Sequence, residues 1–199
     1  MLNSLTERKV AMKHDLMTVD QHSEPAEGAS EARQFLSFRT QGERYALAID
    51  SVKEITEFRA MTPVPMMPAF VRGVINLRGH VVPVIDLACR FGLGFTEPGK
   101  RTCVIIMDVE SPEQGRLRFG LMVDSVDSVF DVEDNLEPPP QFGAGLRADF
   151  IAGMVREESG FIIILDINRV LSVEDMKRIA SAASIAASAR EGDDPGTED

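Results

Sequence analysis

Cysteine and histidine are scarce in this 199-residue chain, acidic residues outnumber basic ones, and no apolar run is long. The two cysteines, Cys89 and Cys103, have no C-x-x-C spacing and no neighbouring histidine. That excludes a zinc site and a disulfide framework, and leaves two buried thiols among apolar neighbours. His14, His22 and His80 are the whole imidazole supply. The first two lie in a polar N-terminal stretch, and His80 stands beside Gly79 at a turn, placed for exposure rather than catalysis. Against 32 acidic residues there are 21 Lys and Arg, a net charge of −11. Phosphate backbones and anionic lipid surfaces both call for a basic face, so neither nucleic acid nor a membrane surface is an expected partner. No apolar run approaches membrane-spanning length, and Met1 to Asp20 lacks the apolar centre of a signal peptide, so the expected compartment is the cytoplasm. There is no nucleophile elbow, Walker loop or HExxH. Gly143-Ala-Gly-Leu-Arg-Ala148 fits a dinucleotide fingerprint in spelling, but it follows Pro138-Pro-Pro140 rather than a strand, and the context fails. The chain reads as a binding module without cofactor or metal, not as an enzyme.

What is present is globular in composition, with 44% hydrophobic residues. Residues 1–32 are polar, with loosely spaced Leu2, Leu5, Val10, Met12 and Leu16 suited to a frayed helix, then a Glu/Ser/Ala-rich linker with Pro25. A globular region is expected over 33–176, and 177–199 reads as a helix end followed by an acidic disordered tail. The helix would start at Ser172, with Asp175 completing a capping box, and would dock through Val173, Met176, Ile179 and Ala180. Between Gln34 and Leu171 the runs are short, β-branched or aromatic, and punctuated by Gly, Pro and Asp. Strands are predicted at Gln34–Thr40, Arg44–Ala48, Gly73–Asn76, His80–Asp86, Thr102–Val109, Leu117–Val123, Ile151–Arg156 and Phe161–Asp166, with two more near Ile55–Phe58 and Ser128–Val132. Val81–Ile85 and Ile162–Leu165 are apolar throughout, as strands covered on both faces must be.

The region repeats itself. Tyr45-Ala-Leu-Ala-Ile-Asp-Ser-Val52 is similar to Phe119-Gly-Leu-Met-Val-Asp-Ser-Val126, and Phe70-Val-Arg-Gly-Val-Ile75 to Phe150-Ile-Ala-Gly-Met-Val155. Without a gap, Asp86 then falls opposite Asp166. Shared apolar positions are common between strands; aligned Phe, Gly and Asp are not. Two units, about 35–95 and 102–171, are therefore expected to relate by a pseudo-twofold axis and to share apolar surface. Asp50 and Asp124 are placed to cap the turns that follow them. Gly73 and Gly153 are placed where a strand needs a bulge or a close backbone approach.

Gly73-Val-Ile-Asn-Leu-Arg-Gly79 followed by Val81-Val-Pro-Val-Ile-Asp-Leu87 resembles the CheW family, the adaptors of bacterial chemotaxis arrays. Phe35-Leu-Ser-Phe38, Val52-Lys-Glu-Ile55, Pro63-Val-Pro65, Val123-Asp124 and Phe150-Ile-Ala-Gly153 agree with it, over about Gln34 to Met176. The resemblance implies two SH3-like five-stranded β-barrels around a shared core, with short helices and a C-terminal helix. It implies coupling of a CheA-type histidine kinase, through its regulatory domain, to the cytoplasmic tips of chemoreceptors at arrays on the inner face of the membrane. It also implies assembly into rings, with receptor tips in the groove between barrels. A structural array component that binds receptors without activating the kinase is the alternative. By the same resemblance Arg78, in the N-L-R-G turn with Asn76 and Leu77, lies on the binding surface, and Val52, Glu54 and Ile55 line the receptor groove. For Val52 and Ile55 a place in the core is the competing reading, since Val126 and Val129 repeat the pattern. The second unit has Arg156 and Glu158 where the first has Asn76 and Arg78, which puts the special surface on the first unit.

Overall fold

A computed structural model describes residues 33–181, apart from 112–114, 134–135, 140–149, 159, 173, 176 and 180. The expectations for residues 1–32, His14, His22, the 143–148 fingerprint, Val173, Met176, Ala180 and the acidic tail lie outside the described residues.

Among the described residues ten strands follow one another: β1 (Arg33–Thr40), β2 (Glu43–Ala48), β3 (Val52–Glu57), β4 (Val71–Leu77), β5 (His80–Asp86), β6 (Cys103–Ser111), β7 (Gly115–Val123), β8 (Ser125–Val132), β9 (Ile151–Glu157) and β10 (Gly160–Leu165). Two one-turn helices, α1 (Leu87–Arg90) and α2 (Ile167–Val170), follow β5 and β10. Every predicted strand is present. The two weakest patterns, β3 and β8, start three residues earlier than their apolar residues suggested, because each is an edge strand with polar positions facing water. Among the described residues no helix is long and apolar enough to cross a membrane.

The strands form two five-stranded sheets, ordered β8-β1-β2-β10-β9 and β3-β6-β7-β5-β4. Substituting each strand by its repeat equivalent converts one order into the other, so the pseudo-twofold relation is complete. The two consecutive units of the sequence are nevertheless not the two sheets. The β1–β2 hairpin of the first unit lies among β8, β9 and β10 of the second, and the β6–β7 hairpin lies among β3, β4 and β5 of the first. Each unit lends a hairpin to the other, and shared burial follows directly from that exchange.

Side-chain alternation explains the continuous apolar runs. Along β6, Cys103, Ile105 and Met107 face the core between the sheets, while Val104 and Ile106 fill the interior of the second sheet with Val82, Val84 and Met122. In β10, Ile162 and Ile164 fill the first sheet's interior with Phe35, Ala46 and Val132, and Leu165 faces the shared core. Cys103 is 1% exposed, and burial pushes its thiol up to about 11. Phe38, Tyr45, Phe91 and Phe150 form a chain of ring contacts through the shared core, with centroids 6.0, 5.4 and 5.0 Å apart.

The repeated glycines close the sheets. After β3 the chain crosses β4, where Thr62 and Val74 exchange backbone bonds of 3.0 and 2.8 Å. At the equivalent place Glu137 and Met154 exchange two bonds of 2.9 Å. A Cβ on Gly73, whose φ is +144°, would fall on the Thr62 carbonyl oxygen. This is the close backbone approach the sequence called for, and a register shift accompanies it between Val71 and Gly73.

The aspartates behave less uniformly than their repetition suggested. Asp86 and Asp166 cap α1 and α2, accepting from Cys89 N and Asn168 N. Asp124 does not cap the turn after it; its Oδ2 accepts 2.7 Å from Gln41 N in the β1–β2 turn, because the hairpin exchange brings that turn alongside. Asp50 lies inside the 3-10 turn Ile49–Ser51, whose N-cap residue Ala48 makes no side-chain bond. Ser172 and Asp175 do form the capping box, with Ser172 N and Oγ donating to Asp175 at 3.1 and 2.7 Å and Asp175 N donating back at 3.1 Å. Ile179, one turn on, is 2% exposed in the shared core.

Candidate functional site

The β4–β5 hairpin is joined by Arg78 and Gly79 alone, with Leu77 paired to His80. Both turn residues have positive φ, +53° and +88°, the two-residue turn whose twist matches the flanking strands. Asn76 Oδ1 accepts 2.9 Å from Gly79 N and steadies it. The turn thrusts Arg78 outward, with its side chain 81% exposed. Its Nη2 donates 2.6 Å to Glu54 Oε2 on β3.

β3 and β4 are the two edges of the second sheet. Between them lies a groove of about 580 Å³ lined by Glu54, Ile55, Asn76, Leu77 and Arg78, so the structure brings together five of the six residues singled out by the sequence. Thr56, Glu57, Arg59, Ala60 and Thr62 also line it, with Val74, Ile75 and Val104 in its wall. The crossing segment with Arg59, Ala60 and Thr62 carries no motif, and only the Pro63-Val-Pro65 that follows hinted at a fixed course. Val52 is the exception among the six. It is 3% exposed in the shared core, so its competing reading holds and it is corrected from surface to core. A bulge between Val52 and Glu54 is the cause, turning Glu54 outward two residues after a buried position, where a regular strand would return to the same face. Ile55 is half-buried against the same core, and Leu77 packs on the interior cluster. The strand residues lining it all belong to the second sheet, and the rest to the segment joining β3 to β4, so the groove is that sheet's own open side rather than a cleft between the two sheets.

Outside the groove lining, a chain of charges runs across β7, β6 and β3. Asp108 on β6 accepts from Arg118 Nε and Nη2 on β7 at 2.8 and 3.1 Å, and Lys53 Nζ lies 3.9 Å from its Oδ2. The Arg118 hydrogen bond holds the Asp108 carboxyl below its ordinary range, against the opposing effect of burial. Arg118 is shifted upward, first by that bond and further by the field of Glu54. At the rim Arg78 offers a cationic fork beside half-buried Ile55 and Leu77, a combination that can take a carboxylate or carbonyl at the edge of an apolar contact. Among the described residues no group of His, Cys, Asp and Glu side chains could hold a metal ion.

Residues 34–175 match the family described as CheW-like domain. The chain belongs to the CheW family. Chemotaxis protein CheW of Bacillus subtilis (strain 168) is 35% identical over 141 residues, which cover 69% of this chain and 85% of the relative. The CheW of Treponema pallidum is 31% identical over 153 residues, 74% of this chain and 87% of the relative. Protein FrzA of Myxococcus xanthus is 28% identical over 159 residues, 76% and 95% of the two chains. Among solved structures, the scaffolding protein TtCheW from Thermoanaerobacter tengcongensis matches with a TM-score of 0.64 and 30% identity, covering 79% of this chain and 96% of that one. The CheW match opens within β1 and closes at Asp175, the residue that completes the capping box. It therefore spans both sheets, the exchanged hairpins and the whole of the β3–β4 groove.

Proposed function

We propose that this CheW-family chain is a chemotaxis adaptor that couples chemoreceptor cytoplasmic tips to a CheA-type histidine kinase, acting by binding and without catalysis of its own. The observation that carries the reading is the groove of a family member named for chemotaxis in its relatives, rimmed by an exposed guanidinium on a rigid two-residue turn. Arg78, Glu54, Asn76 and the accessible edges of Ile55 and Leu77 form the contact surface. Arg78 supplies a directed fork for an acidic or carbonyl group, and the half-buried apolar pair supplies the area that excludes water around it. In this reading the protein works in the cytoplasm, at arrays on the inner face of the membrane, with the kinase regulatory domain on a separate face and rings built from both.

The test is cosedimentation of the purified full chain with a receptor cytoplasmic fragment and a CheA-type kinase, reading kinase autophosphorylation in the same tubes. Assembly with a large rise in kinase activity is expected, together with loss of receptor binding in Arg78→Ala. Receptor binding with no change in kinase activity would instead make the protein a structural array component. No binding to either partner would overturn the adaptor reading.

A further inference from the structure

The exchanged hairpins raise a problem that the rim charges answer. β1–β2 and β6–β7 are equivalent in the repeat and have the same place in the same strand order. By backbone shape alone, either hairpin fits either sheet, so the wrong one could enter within a chain or from a second copy. Sequence similarity between the units makes the competition close, since both hairpins bring matching apolar faces.

At the contact between each hairpin and its edge strand stands a charge pair whose sign is opposite in the two sheets, joined in the first sheet by Arg44 on β2, whose Nε lies 3.5 Å from Asp127 Oδ2 on β8. In the first sheet Arg39 on β1 bonds Asp127 on β8, Nε to Oδ2 at 3.1 Å. In the second sheet Asp108 on β6 faces Lys53 on β3 at 3.9 Å. The ladder registers make these equivalent positions. Phe38 pairs with Tyr45 and Val126 as Met107 pairs with Phe119 and Val52, which sets Arg39 opposite Asp108 in the repeat and Asp127 opposite Lys53. Lys53 falls at the register shift of β3, and Asp127 at that of β8. With the hairpins in the wrong sheets Arg39 would face Lys53, and Asp108 would face Asp127. The first contact would set Arg39, with Arg44 beside it, against the like charge of Lys53, and the second would set Asp108 against Asp127 with Arg118 beside them.

We infer that the opposed Arg39–Asp127 and Asp108–Lys53 pairs select which hairpin enters which sheet, and so keep this duplicated chain from pairing with itself in the wrong order. Each pair adds little to the correct fold, because Arg39, Asp127 and Lys53 are partly solvated and the Lys53–Asp108 contact is long at 3.9 Å. Its effect lies in the difference between right and wrong pairings, and the larger share falls on the first hairpin, whose Arg39 and Arg44 would exchange Asp127 for Lys53. Asp108 keeps its bond to Arg118 in either arrangement, since both belong to one hairpin, and Arg118 moderates both its attraction to Lys53 and its repulsion by Asp127.

The experiment compares refolding of the full chain with the double variant Arg39→Asp/Asp127→Lys. That variant retains an ion pair in the first sheet but gives both sheets the same polarity, so the wrong partner becomes attractive too; all three proteins compared carry Arg44→Gln, which removes the second cation beside position 127. A same-sign control, Arg39→Lys/Asp127→Glu, keeps the difference. After dilution from denaturant, size-exclusion chromatography with light scattering reads the fraction recovered as monomer. The control is expected to match the Arg44→Gln chain, and the polarity variant to lose at least about half of its monomer to dimers and larger species, while its natively purified monomer melts within a few degrees of that chain. Equal monomer recovery in all three proteins would overturn the inference. Should the polarity variant fail to fold even in cells, wild-type refolding from about 0.05 to about 0.5 M sodium chloride decides, since screening shortens to about 4 Å over that range. Falling monomer recovery supports selection by charge, and constant recovery overturns it.

Discussion

Arg78 and Glu54, 24 positions apart, meet at 2.6 Å across the mouth of the β3–β4 groove, one from a two-residue hairpin turn and the other from the residue after a bulge. Neither position is set by the ion pair. The turn geometry projects Arg78, the bulge projects Glu54, and the pair forms because two rigid devices aim at one place.

Arg78→Ala is therefore expected to leave the thermal midpoint within about 2 °C of wild type, because an exposed pair contributes at most about 1 kcal/mol. Binding to the receptor fragment should fall by more than tenfold. Arg78→Gly should lose binding equally while melting at or slightly above the alanine variant, since glycine adopts the positive φ at that turn without a Cβ penalty. Scanning calorimetry and pull-down of both variants check this, and a melting drop of many degrees in either would make Arg78 structural.

Gly73→Ala and Gly153→Ala test the two closures of the sheets. At Gly73 the new methyl would meet a backbone carbonyl and the φ is +144°, so a loss of about 3 kcal/mol or more in urea unfolding is expected. At Gly153 the nearest atoms are the Glu137 carbonyl oxygen and the Leu136 Cβ, both at 3.3 Å, and a small shift of the crossing segment relieves them. A loss of about 1 kcal/mol is expected there. Equal losses would mean that the two crossings have the same tolerance.

Asp86 is fully buried and accepts from Cys89 N at 3.2 Å, Thr96 N at 2.9 Å and Thr96 Oγ1 at 2.9 Å, with Arg72 3.8 Å away. Asp86→Ala leaves those donors unpaired and should cost about 2–4 kcal/mol. Its repeat equivalent Asp166 is partly exposed, and Asp166→Ala should cost about 1 kcal/mol, the usual loss of a helix cap. Denaturant midpoints give the comparison directly.

The Asp108 carboxyl is depressed in the folded state, chiefly by the Arg118 hydrogen bond. Its contribution is therefore present above the unfolded carboxylate value, about 3.9, and is lost as pH falls through the folded value. The stability difference between wild type and Asp108→Asn should be constant from neutral pH down to about pH 5 and shrink below that. A difference that grows on acidification would contradict the assignment.

Strand positions, the Gly73 approach, the capping box at Ser172 and the turn at Arg78-Gly79 were legible in the sequence, because each is decided by residues within a few positions of one another. Apolar runs without alternation likewise announced strands covered on both faces. Three things were not local. Whether Val52 faces core or solvent turned on the bulge after it, and a bulge depends on the register of β3 against β6, a strand some fifty residues away. Asp124 caps a turn of the other unit, which no reading of its own neighbours could supply. Above all, the sequence by itself determined that there are two alike units, but likeness leaves open which hairpin pairs with which edge. That choice belongs to the tertiary structure alone, because only there do the Arg39–Asp127 and Asp108–Lys53 contacts exist to separate arrangements that burial and hydrogen bonding would leave nearly equal.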